Sequence, residues 1–146
     1  SRLDRNERSY YFSDVEGTFM DATLNPKFVF FSPVRSAAGA RELVEHVDHA
    51  VIALDGRAPV GGSWNLEVLR PVENAESLRV ELWVNDLGDF TCTYGFMISS
   101  ADGCTAHARG ERTVVNVDIR SHQAVRWSTD FRTSHTELLK DLPAYG

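Results

Sequence analysis

The stretch "SYYFSDVEG", residues 9–17, places two carboxylates and a glycine, Asp14, Glu16 and Gly17, directly after an aromatic run. A carboxylate at the end of a strand, followed by a turn, can sit at the mouth of a pocket. There it can act as a nucleophile or activate a water. A second candidate for that work, Asp21, follows in the same segment, and Asn25 could orient a water or a carbonyl. Each has a simpler reading. Asp14 and Asp21 suit strand-end and turn positions, where an Asp side chain bonds nearby backbone N–H groups. The Asn25-Pro26 pair is itself a turn signal. "NPKFVFF" adds Phe28, Phe30 and Phe31, which could line an acyl or aryl pocket or simply pack in a core.

The other reactive residue types are dispersed. His46 and His49 stand three apart and could share a helix face, but no third ligand lies nearby in sequence, so a solvated helix face is the better reading than a metal site. Cys92 and Cys104 form no Cys-x-x-Cys pair, and two cysteines are too few for a disulfide scaffold. Arg57, Arg70, Arg109 and Arg112 are scattered cations. The formal net charge of −6 argues against a nucleic-acid partner and offers nothing to an anionic membrane. No apolar run approaches the ~20 residues of a membrane span. The charged start "SRLDRNERS" does not read as a signal peptide. A chain of 146 residues, 42% hydrophobic and 25% charged, fits a single globular domain over 1–146.

The elements that must position these residues follow from periodicity. Residues 8–15 read as a strand and 16–27 as a loop. Ser32 suits an N-cap and Pro33 a first helical position, and Val34, Ala37, Ala38, Leu43, Val44 and Val47 keep helical spacing; the pattern predicts a helix over 33–47. Glu42 and Glu45 would lie on it, as exposed polar residues. Strands are expected at 50–54, 63–70, 78–85, 89–99 and 104–118, with a short peripheral helix in the tail 134–146. The strands at 78–85 and 89–99 each put their apolar residues on one face: Leu78, Val80, Leu82 and Val84 on the first; Phe90, Cys92, Tyr94, Phe96 and Ile98 on the second.

Two registers suit the hairpin around Gly103. A three-residue loop with Gly103 left-handed sets Phe96 opposite Ala108, Tyr94 opposite Gly110 and Cys92 opposite Arg112. A two-residue Asp-Gly turn sets Phe96 opposite Arg109. The first pairs large residues with small ones and is preferred. It keeps Cys92 and Cys104 apart as free thiols, in keeping with a reducing, cytoplasmic setting. One helix cannot cover both faces of so much antiparallel sheet. The economical α+β solution is a sheet curled around the helix, with the remaining apolar surface covered in a homodimer or homotetramer.

The second half of the chain resembles the hotdog-fold acyl-CoA thioesterases of the 4-hydroxybenzoyl-CoA thioesterase type. "WNLEVLRPVENAESLRVELWVNDLGDFTCTYGF" is similar to that family's strand ending in Arg-Pro, polar turn and two long strands. "AHARGERTVVNVDIRSHQAVRW" is similar to its last strand. In the first half, "FSDVEG" resembles the family's aromatic-x-Asp-x-acid run, with Glu16 in the reactive carboxylate's place, and "LNPKFVFF" its Asn-containing approach to the helix, with Asn25 as the match. The family's Gly-His pair has no counterpart in "TFMDATL", and a second alignment puts Asp21 in the carboxylate's place. The resemblance implies an antiparallel sheet around one central helix and hydrolysis of an acyl- or aroyl-CoA thioester. A loop carboxylate and backbone amides at the helix start would do the chemistry, with no metal or redox cofactor. Another branch of the fold carries its carboxylate on the helix, which would turn attention to Glu42 and Glu45, and coenzyme A's phosphates would call for some of the arginines. Two rivals stay open. A hotdog dehydratase or hydratase wants a His near the helix start, and none falls between residues 10 and 45. A non-catalytic hotdog domain would bind a hydrophobic acyl or polyketide-like ligand.

Overall fold

The structure is a computed structural model that describes residues 27–34, 39–73 and 77–139. The strand expected at 8–15 and the residues Glu16, Asp21 and Asn25 lie outside the described residues. Among those described, the order is β1 (Phe28–Pro33), α1 (Ala40–Asp55), β2 (Ser63–Val68), β3 (Ser77–Leu87), β4 (Thr91–Ser100), β5 (Ala106–Val115) and α2 (Thr129–Thr136). The strands form one antiparallel sheet in the order β1-β3-β4-β5-β2.

The centre of the sheet follows the expected alternation. Leu78, Val80, Leu82 and Val84 on β3, and Cys92, Tyr94, Phe96 and Ile98 on β4, are fully enclosed. Only Phe90 departs from its expected set, because it precedes β4 and is partly exposed. Facing them, α1 buries Leu43, Val47, Ala50 and Val51, a stripe at i, i+4, i+7 and i+8. Gly110 lets β2 come close on β5, since a Cβ there would stand 1.8 Å from the Asn65 carbonyl oxygen.

The helix lies later than the sequence pattern suggests. Ser32 and Pro33 do not start it; they end β1, which pairs with β3 from Phe28↔Leu82 to Pro33↔Ser77. The run "FVFFSP" is rich in strand formers, and pairing with a central strand outweighs the Ser-Pro helix signal. The helix starts behind Gly39, whose carbonyl accepts from the Leu43 N–H at 3.0 Å. Residues 50–54, expected as a strand, are its last turns. Ala50 and Val51 continue the buried stripe while Ile52 faces outward, so helical packing overrides propensity. Gly56, at φ 82°, ends the helix and donates its N–H to the Ile52 carbonyl.

The β4–β5 hairpin corrects both proposed registers. Phe96 pairs with Gly110, Tyr94 with Arg112, Ile98 with Ala108 and Cys92 with Val114, two residues beyond the preferred reading. An even shift leaves every side chain on its expected face. The cause is a longer loop with a register shift between Ile98 and Ser99. The Ser100 N–H donates to the Thr105 carbonyl, while Asp102 Oδ1 accepts from Ser100 Oγ and the Cys104 N–H. Gly103 is left-handed, φ 79°, as expected. In the tail, α2 begins upstream of the expected segment. Ser128 caps it, its side chain accepting from the Phe131 N–H at 3.1 Å.

Both cysteines are free, Cys92 buried and Cys104 exposed. Burial foremost, with the nearby Asp55 charge, pushes the Cys92 thiol up to about 12. A thiol reagent at pH 8 is therefore expected to label Cys104 alone in the folded protein and both cysteines after unfolding. Rapid labelling of two thiols in the native state would contradict this packing.

Candidate functional site

The described part of the expected site is where β1 crosses α1. Phe28 and Phe30 sit on the face of β1 turned to the helix and pack against the core, whereas Phe31 lies on the opposite face, 48% exposed. Strand alternation thus divides the three phenylalanines, and only Phe28 and Phe30 can share a lining. Ser32, fully buried on the same inward face, hydrogen-bonds His46 Nδ1 at 2.6 Å. This contact, which the N-cap reading of Ser32 missed, ties β1 to α1. Burial foremost, and then the neighbouring His49, lowers the pKa of His46 against the opposing pull of Glu45 and Glu42. The two imidazoles meet edge to face, 6.1 Å between centroids.

At the start of α1, glycine in the N-cap position supplies no side-chain acceptor. The amides of Ala40, Arg41 and Glu42 therefore have no intrahelical partner and lie at the positive end of the helix. Glu42 turns back to accept from the Gly39 N–H at 2.9 Å, so its carboxylate serves the helix start. Glu45 is exposed.

The four candidate arginines separate. Arg112 is buried. Its Nε donates to Asp48 Oδ1 at 3.1 Å and its Nη1 to the carbonyls of Gly61 and Thr113, and the guanidinium lies 4.7 Å from the centroid of the Trp64 ring. It is an internal tie and not a phosphate contact. Burial raises the pKa of Asp48 despite the hydrogen bond and charge from Arg112. Arg109 pairs with Glu67 on the exposed outer surface. The Arg70 carbonyl bonds the His107 ring. Arg57, just beyond α1, donates to Asn116 Oδ1.

A second group of chemical side chains gathers at the far end of α1, roughly 22 Å from its start at 1.5 Å per residue. Tyr94 donates to Asp55 Oδ2 at 2.6 Å, His135 Nε2 stands 2.8 Å from Asp55 Oδ1, and the tyrosine oxygen lies 2.7 Å from the same nitrogen. His135 Nδ1 donates to the Phe131 carbonyl at 2.9 Å. Trp127, Phe131 and His135 stack in a column at 3.8 and 3.6 Å. Burial foremost, with the Asp55 charge, raises the pKa of Tyr94. No local signal marks this cluster: Asp55 follows the segment 50–54 expected as a strand and His135 falls in the expected tail, 80 positions away. It forms one wall of an open cleft of about 910 Å³ between the end of α1, the turn 117–124 and α2.

This architecture, an antiparallel sheet wrapped on one long helix, is the hotdog fold. It is similar to a 1,4-dihydroxy-2-naphthoyl-CoA thioesterase from Synechocystis, at TM-score 0.63 and 13% identity over 77% of this chain and 97% of that one. A thioesterase from Thermus thermophilus, complexed with coenzyme A and Zn, matches at TM-score 0.65 and 14% identity over 78% and 95%. A predicted thioesterase from Bacillus stearothermophilus matches at 0.66 and 12% over 77% and 96%. No family model and no curated protein matches the sequence.

Two outcomes follow from the polar contacts. The lowered pKa of His46 favours the neutral ring in the folded state. Its stabilising contribution is complete above the ordinary histidine value of 6.5 and declines as pH falls through 6.5 toward the folded pKa. Urea denaturation of His46→Gln at pH 7.5 and 5.0 is expected to show a smaller pH dependence than the unsubstituted protein; an unchanged dependence would rule out the assignment. Tyr94→Phe removes a buried hydroxyl from Asp55 and His135 and is expected to cost about 1–3 kcal/mol of unfolding free energy. A neutral result by the same measurement would show that the hydroxyl adds nothing net.

Proposed function

We propose that this chain hydrolyses an acyl- or aroyl-CoA thioester, in the manner of the 4-hydroxybenzoyl-CoA thioesterase type. The supporting observation is the start of α1: a helix N-terminus with glycine as its cap and amides free of intrahelical partners, beside the inward-facing Phe28 and Phe30. Developing negative charge on a thioester oxygen suits such amides. The likeness to thioesterases over nearly their full length supports the same reading.

In this reading a carboxylate, Glu16 or in the second alignment Asp21, attacks the carbonyl carbon or takes a proton from the water that does. Asn25 orients the water or the carbonyl. The C–S bond breaks and the thiol leaves with a proton; where the carboxylate itself attacks, water then hydrolyses the resulting mixed anhydride, and in either course the acid is released. Phe28 and Phe30 take the acyl or aryl group. The working unit is a homodimer or homotetramer, joined through edge strands of the sheet or through helix regions. Free cysteines suit a reducing, cytoplasmic setting, and no described helix is long and apolar enough to cross a membrane. A non-catalytic hotdog domain that binds an acyl ligand is the second reading, favoured by the missing Gly-His pair.

A panel of aliphatic and aromatic acyl-CoAs, followed by thiol release, tests the proposal. Glu16→Gln is expected to lower kcat by roughly 10²–10⁴-fold with the fold retained by circular dichroism. Loss in Asp21→Asn instead would move the carboxylate to the second alignment. No thiol release from any member of the panel would overturn hydrolysis in favour of binding.

A further inference from the structure

The cleft at the far end of α1 is lined by three arginines, Arg57, Arg120 and Arg126, and three aspartates, Asp55, Asp118 and Asp130, which differ in their partners. Its carboxylates are engaged: Asp55 by Tyr94 and His135, and Asp118 by the Arg120 N–H at 3.0 Å and Ser121 Oγ at 3.3 Å. Asp130 stands in the first turn of α2, where it offsets the positive end of that helix. Arg126 pairs with Asp89 at 3.1 Å. Arg57 and Arg120 remain, and neither has a carboxylate partner among the described residues. Arg57 is also held in place. Its guanidinium donates to Asn116 Oδ1, and Asn116 is buried, its Nδ2 donating to the Arg126 carbonyl at 3.1 Å and its N–H to the Phe90 carbonyl at 2.8 Å. A neutral amide thus aims a cation without cancelling its charge.

Beside these cations the cleft is apolar. Ile119 is 79% exposed and Val125 39% exposed, and both line it with Val117 and Leu54. An isoleucine so exposed on a turn beside an oriented guanidinium matches a ligand with one anionic end and one apolar end. A guanidinium pairs with a carboxylate through two parallel hydrogen bonds. A volume of about 910 Å³ accommodates a small molecule.

We propose that this cleft is a binding site, separate from the start of α1, for a carboxylate carried on an apolar body, with Arg57 and Arg120 taking the carboxylate and Ile119 and Val125 the hydrocarbon. The site does not depend on the thioesterase reading, and its test does not use turnover. Isothermal titration of the full chain with octanoate is expected to give saturable binding that weakens with added salt. Arg57→Gln and Arg120→Gln are each expected to weaken it about tenfold or more. Arg109→Gln, which touches only the outer pair with Glu67, should leave it unchanged. Octanol and inorganic phosphate should bind more weakly than octanoate. Absence of octanoate binding, equal binding to both cleft variants, or tighter binding of octanol or phosphate would each overturn the proposal. Equal binding to the variants would place octanoate elsewhere, such as beside Phe28 and Phe30.

Discussion

The apolar stripe of α1 is the constraint on which the other elements depend. Leu43, Val47, Ala50 and Val51 have no exposed surface to speak of, and the enclosed rows of β3 and β4 are their partners. Each large aliphatic side chain so buried contributes about 1.5–3 kcal/mol. A slip of one residue in β3 or β4 would turn its row outward, so the stripe fixes register as well as stability. It also sets the phase of β1. With Leu82 and Val80 facing the helix, Phe28 and Phe30 opposite them must face it too, and Ser32 is delivered to His46.

A buried polar group is tolerable only when its partners come with it. Tyr94 projects from the same inward row as Phe96, so its hydroxyl must be met beneath the core. Asp55, the last residue of α1, and His135 on α2 meet it. The residues that follow β5 are therefore more than an appendage. Their helix completes a hydrogen-bonding obligation of the central sheet, and the column from Trp127 to His135 holds it in position.

The sequence made the centre of this fold legible because period-two alternation in β3 and β4 is a local signal that burial enforces. It misplaced α1 because Ser32-Pro33 imitates a helix start and "AVIAL" imitates a strand; both signals lost to contacts far away in sequence, with β3 for the first and with the sheet face for the second. The hairpin register escaped because loop length depends on how Asp102 satisfies the Ser100 hydroxyl and the Cys104 amide, which size matching across strands does not report. Of the candidate site, the inward placement of Phe28 and Phe30 is now fixed, Arg112 has proved internal, and Glu16, Asp21 and Asn25 lie outside the described residues. The Asp55–Tyr94–His135 cluster was invisible because nothing local marks residues joined only by the closed fold.

The strand order also sets an order of assembly. β3, β4 and β5 are joined by short connections and sit side by side, so their pairing closes small loops at little entropic cost. Among the described residues β1 and β2 come from the first half of the chain and flank the β3–β4–β5 meander; β1 reaches β3 only after α1 and β2 have been bypassed. Pairings of this range form late and open early. The strand that carries Phe28, Phe30 and Ser32 is thus a later addition to the β3–β4–β5 nucleus. The lining beside the start of α1 is completed only once that long-range pairing has closed.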